Sequence, residues 1–165
     1  MLPEFDVSEW FDRARHAFLI RPPRDVLASY TAKYDKVSLD LIGYRQQAEL
    51  FDRAADRLGA APPVIDGRDL QRRPEATLRA LTAALDLPFE TGMLAWPAGP
   101  KPYDGVWAAH WYDRVWRTTG FAPPDDRTKP SLPPELEAIT IAAEPYYARL
   151  AVHLLAPVSL SETPP

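Results

Sequence analysis

HAFLIRPPRDVLASY, residues 16–30, is the passage from which the fold of the chain is read. The apolar run Ala17 to Ile20 is too short for a helix and predicts a buried strand. Arg21 ends the run, and Pro22 and Pro23 break it. Pro23 suits the first turn of a helix that restarts with Val26, Leu27 and Tyr30 at helical spacing.

Upstream, VSEWFDRAR (7–15) predicts a short amphipathic helix with Trp10, Phe11 and Ala14 on one side. Downstream, residues 38–59 predict one long helix, capped by Ser38, ended by Gly59 and weakened near its start by Gly43. PPVIDGRDL (62–70) predicts a second short buried strand. RRPEATLRALTAALDL (72–87) predicts a helix opened by Pro74, with Leu78, Leu81 and Leu85 as its apolar stripe. Residues 88–128 read as loop with short helices, and the final helix as bent or broken at Pro145. The expected organisation is one domain over 1–157 with a disordered tail, 158–165.

Strands followed by helices imply an α/β fold, helix-rich, with parallel strands under helical cover. Two strands alone are marginal and leave their edges unsatisfied. The expectation is that further strands come from a segment lacking here, from a second copy in a homodimer, or from a partner chain.

The 165 residues carry a net charge of −4, which argues against nucleic acid or an anionic membrane as main partner. A small anionic ligand needs only a local arginine or lysine cluster. The chain has no cysteine, which removes disulfides, thiolate metal sites and cysteine nucleophiles. Residues 1–15 are acidic without an apolar core, unlike a signal peptide, and no apolar run approaches the ~20 residues of a membrane span. These features predict a cytoplasmic protein. The nineteen prolines fall mostly in pairs between helical segments and read as punctuation.

In parallel α/β sheets, ligands bind beyond the carboxyl ends of strands, beside the amino ends of the following helices. Arg21 sits at such an end. The helix after it offers backbone N–H groups and a positive dipole end, and Ser29 lies about two turns in, off the apolar stripe. An arginine fork, a hydroxyl and a helix terminus suit a phosphate. The competing reading pairs Arg21 with Asp25 or Glu49 and leaves Ser29 without a role.

These residues resemble the family of sulfotransferases that use PAPS (3′-phosphoadenosine 5′-phosphosulfate). The family's 3′-phosphate motif is a strand ending in Arg, with Ser eight positions later, as Arg21 and Ser29 stand here. Pro22 replaces its usual acidic or amide residue. PVIDGRDLQRRPEATLRALTAALDLPF is similar to the family's strand, Asp-Leu and Pro-initiated helix, with Gly67 where an adenine-contacting Tyr is common. KPYDGVW resembles the Lys-Gly-x-x-Gly-x-Trp loop that closes over the 3′-phosphate: Lys101, Gly105 and Trp107 match, and Pro102 replaces the first glycine.

The resemblance covers roughly residues 16–121. It implies a partial P-loop-type sheet and a site for PAPS or adenosine 3′,5′-bisphosphate built from Arg21, Ser29, Lys101, Gly105 and Trp107. It also implies sulfuryl transfer to a small-molecule hydroxyl or amine. The family's glycine- or Ser/Thr-rich 5′-phosphosulfate loop is not found: no glycine precedes Gly43. The alternative is a non-catalytic relative that binds a nucleotide or partner and completes its sheet by association.

Among the three histidines, His110 is the candidate base because it follows the lid-like loop. His16 precedes the first strand, some ~15 Å from Arg21 at ~3.3 Å per residue, and reads as structural. His153 lies on the last helix. None has metal-ligand spacing, so no metal is expected. Trp96, Trp107, Trp111 and Trp116 read first as a satellite core beneath the long loop, and second as an acceptor pocket.

Overall fold

The computed structural model describes residues 11, 13–124 and 131–159. Residues 7–10 and 12 of the helix expected over 7–15 lie outside them, as does the tail from residue 160, while Phe11 and Arg13 are helical. Within the described tail, Val158 donates its N–H to Ala76 O at 3.3 Å.

Strands β1 (Phe18–Ile20) and β2 (Val64–Asp66) pair in parallel, with Phe18 opposite Val64 and Ile20 opposite Asp66. Alternation along β1 buries Phe18 and Ile20 and leaves Leu19 49% exposed, so one face of the strand carries the core. Helices α1 (Pro23–Thr31), α2 (Leu39–Ile42) and α3 (Tyr44–Leu58) separate the two strands. After β2 come α4 (Gly67–Arg72), α5 (Pro74–Ala84), a 3-10 turn (Thr91–Leu94), α6 (Ala108–Trp111), α7 (Asp113–Trp116) and α8 (Pro134–Ala151). The fold is α/β and helix-rich. Ala48, Phe51 and Ala54 of α3 and Leu150 of α8 pack on Phe18, Ile20 and Val64, with the Phe18 and Phe51 rings edge-on at 5.3 Å.

The sheet edges are not bare. Phe18 and Ile20 direct their backbone groups to β2, so those of Leu19 and Arg21 face outward. Gln47 Nε2 donates to Leu19 O at 3.0 Å, and the Tyr44 hydroxyl donates to Arg21 O at 2.6 Å. Thus α3 supplies two side-chain donors where a neighbouring strand would supply N–H groups. On the other flank, Leu155 N donates to Val64 O at 2.8 Å beside a single parallel bridge between Val64 and Leu154.

Three helices differ from expectation. Gly43 adopts φ 74 and divides the expected 38–59 helix into α2, capped by Ser38, and α3, which ends at Gly59 with φ 65. On α5 the small residues Ala76, Thr77, Ala80 and Thr82 are buried, whereas Leu78, Leu81 and Leu85 are half-buried. Short side chains let this helix approach closely, and the Thr77 and Thr82 hydroxyls are satisfied by Asp69 O and Leu78 O. Finally, α8 runs unbroken through Pro145. The carbonyl deprived of its donor there belongs to Ile141, which is 71% exposed. Among the described residues no helix is long and apolar enough to cross a membrane.

Candidate functional site

Arg21 stands at the carboxyl end of β1 with its side chain exposed. Two other arginines at this mouth are paired: Arg24 with Glu137 at 2.6 Å and Arg68 with Asp25 at 2.7 Å. Asp25, the expected partner of Arg21, is therefore taken, with its side chain 11% exposed. Glu49, the other, is bound by Arg45 at 3.1 Å. Among the described residues the Arg21 guanidinium has no hydrogen-bond or carboxylate partner. Its backbone is anchored by Tyr44, whose phenol is pushed well above its ordinary value, chiefly by burial.

The amino end of α1 offers less than its dipole promises. Pro23 at the first helical position has no N–H, and those of Asp25 and Val26 turn back to Pro22 O at 3.0 and 3.2 Å. Asp25 already places a negative charge in this turn. Fewer free N–H groups stand at this helix terminus than the sequence reading expects.

Ser29 is exposed, and among the described residues its hydroxyl makes no hydrogen bond. Asp25, Ser29 and Lys33 stand at i, i+4 and i+8 on one face of the first helix and its continuation, spanning about 12 Å at 1.5 Å per residue. Asp25 marks where that face meets α4, through Arg68. Lys33 marks where it meets α6: its Nζ lies 5.4 Å from the Trp111 ring centroid and 3.5 Å from His110 O. Ser29 thus lies midway along a face bordered by the start of α4 at one end and by α6 at the other.

Lys101, Gly105 and Trp107 belong to a separate lobe. Ala95 and Gly120 close it by an antiparallel bridge, and Trp96 N donates to Thr119 O at 3.0 Å. The Lys101 ammonium is turned onto Ala98 O, at 3.2 Å, and Gly99 O. Its backbone N–H donates to Asp104 Oδ2 at 2.7 Å, the oxygen that also accepts from Trp116 Nε1 at 2.8 Å. These contacts fix the loop, and among the described residues the Lys101 ammonium pairs with no carboxylate. A Cβ on Gly105 would come 3.3 Å from Trp107 Cδ1, and the Trp107 ring is 70% exposed. Among the described residues no hydrogen bond or ion pair joins Lys101, Gly105 or Trp107 to Arg21 or Ser29. The two groups expected to share one ligand are built on separate parts of the chain.

The satellite-core reading of the tryptophans holds for half of them. Trp96 and Trp116 are half-buried, while Trp107 and Trp111 are exposed. His110 Nε2 lies 2.7 Å from the Tyr34 hydroxyl, so the ring docks the lobe on the end of α1. His16 Nε2 is hydrogen-bonded with Phe11 O at 2.8 Å, and His153 stacks near Phe51 at 5.2 Å. Sequence reading missed Lys33 and Tyr34. The i+4 step from Ser29 points to Lys33, but only tertiary packing brings Tyr34 to His110.

The sulfotransferase domain profile matches residues 1–153. This chain belongs to the sulfotransferase domain family. Two Arabidopsis thaliana proteins are similar to this sulfotransferase domain: branched-chain-amino-acid aminotransferase-like protein 1, 42% identical over 117 residues, and protein 2 of that name, 39% identical over 117. Each match covers 71% of this chain, which spans about a fifth (21%) of the length of these curated relatives. No solved structure matches this chain.

Proposed function

We propose that this chain binds adenosine 3′,5′-bisphosphate and PAPS through their 3′-phosphate, as the nucleotide-gripping part of a sulfuryl transferase. The observation that carries the reading is Arg21. Among the described residues it is exposed and has no carboxylate partner, while Asp25 and Glu137 are occupied by Arg68 and Arg24. A guanidinium held at its backbone by Tyr44, with the free hydroxyl of Ser29 on the adjoining helix, fits a phosphate monoester.

Bound PAPS supplies an activated sulfuryl group for transfer to a hydroxyl or amine. Arg21 would form a forked pair with the phosphate oxygens, and Ser29 would donate a hydrogen bond to the same group. Lys101, which pairs with no carboxylate among the described residues, would add a second positive charge once its loop turned toward the nucleotide. His110 would serve as base only after releasing Tyr34, since its Nε2 is held by that hydroxyl. The sulfuryl end is assigned in this reading to residues outside the described ones, in a longer protein or a second chain. The occupation of Lys101 and His110 by their own neighbours favours a second reading, in which the domain binds nucleotide without turning it over.

Calorimetric titration with adenosine 3′,5′-bisphosphate tests the proposal. The expected outcome is a single site, weakened about tenfold or more in Arg21→Ala and about as weak for 5′-AMP, which lacks the 3′-phosphate. Equal affinity for the two nucleotides, or no binding, would remove it. Release of adenosine 3′,5′-bisphosphate from PAPS across an acceptor panel then separates enzyme from binding module.

A further inference from the structure

We infer that Gly67 is a positioning residue for Arg21: the absence of a side chain at the first position of α4 sets where the arginine's guanidinium points. A Cβ built on Gly67 would lie 2.8 Å from Arg21 Cγ and 3.2 Å from Arg21 Cδ, with Ile20 O next at 3.6 Å. Those atoms are in the aliphatic stem of the arginine and not at its tip, so relief requires the stem to leave its present rotamer, and the guanidinium moves with it. Backbone conformation does not call for glycine here. Gly67 lies outside the left-handed set of Gly43, Gly59 and Gly99, and Asp66 caps its helix with bonds to Arg68 N at 2.7 Å and Asp69 N at 3.2 Å. A helix start without that need is more stable with alanine than with glycine. The glycine works against the stability of α4, and what it provides is room for the Arg21 stem. Register explains the encounter: Ile20 pairs with Asp66, so the residues that follow each strand, Arg21 and Gly67, emerge side by side.

The inference rests on the anion-site reading of Arg21, and a double-mutant cycle separates the two. Four proteins, wild type, Gly67→Ala, Arg21→Ala and the double variant, are titrated with adenosine 3′,5′-bisphosphate and melted. Gly67→Ala is expected to weaken binding about tenfold, and to add no further loss when Arg21 is already alanine. Failure of the wild type to bind would overturn the anion site itself. Wild-type binding with unchanged affinity in Gly67→Ala, or an equal added loss in the Arg21→Ala background, would overturn the inference alone. If Gly67→Ala lowers the melting midpoint, the clash should disappear with the stem and the double variant should regain the midpoint of Arg21→Ala. An equal drop in both backgrounds would show that the Cβ meets something else, and would overturn it.

Discussion

Removing one oxygen from Tyr44 separates its two contributions. Its hydroxyl is the donor to Arg21 O at 2.6 Å, and the ring is 5% exposed in the interface between α3 and β1. Tyr44→Phe keeps the ring and deletes the bond, so stability should fall by about 1–3 kcal/mol, the cost of a buried acceptor left unpaired. The pH dependence has a definite sign. Burial penalises the phenolate, which raises the folded-state pKa above the unfolded value of about 10. The neutral phenol's contribution is complete below about pH 10 and declines as pH rises from there toward the folded value. Urea titrations at neutral and alkaline pH should therefore show a shallower alkaline loss in Tyr44→Phe than in wild type. Parallel losses would mean that Tyr44 does not report this burial. Arg21 affinity should weaken in the same variant, because its strand end is no longer tied down.

At the scale of elements, local chemistry decides what was legible. The 16–30 passage gave its strand and helix because an apolar run, two prolines and a restarted periodicity lie within fifteen residues. The division at Gly43 was signalled by the glycine itself but not the left-handed turn it takes. The buried face of α5 was misread because three leucines at helical spacing outweigh alanine and threonine in any apolar count. Close approach to a neighbour selects the small face instead. The relation of Gly67 to Arg21 was out of reach, since only strand register joins them. The start of α4 was missed for a similar reason: Asp66 reads as the end of a strand until its carboxylate is seen on two helical N–H groups. That cap makes a test. Asp66→Ala should cost about 1 kcal/mol and lower the melting midpoint by about 2–4 °C, with Asp66→Asn retaining most of the stability. Identical melting of the alanine variant and wild type would assign α4 to packing rather than capping.

For the whole molecule, the question is how a two-stranded sheet stays closed. Pattern alone suggested that another strand must be supplied, because isolated parallel pairs are marginal. Each flank carries its own partial cover within the chain. Beside β2, the chain itself returns after α8 and places Leu155 N on Val64 O. Beside β1, side chains from α3 do the work of a strand, with Gln47 on Leu19 O and Tyr44 on Arg21 O. Gln47 is the weaker of these guards, because its donor is a flexible amide, and Leu19 beside it is 49% exposed. An uncovered carbonyl next to an exposed apolar side chain is the kind of edge that pairs with another chain. Gln47→Ala should therefore stabilise nothing and raise concentration-dependent self-association relative to wild type, seen as a rising weight-average sedimentation coefficient over the same concentration range. Gln47→Glu, which offers an acceptor to an acceptor, should behave like the alanine variant. Superimposable sedimentation of all three proteins would show that the β1 edge is closed by packing of α3 as a whole, and that the single hydrogen bond from Gln47 is not what keeps a second strand away.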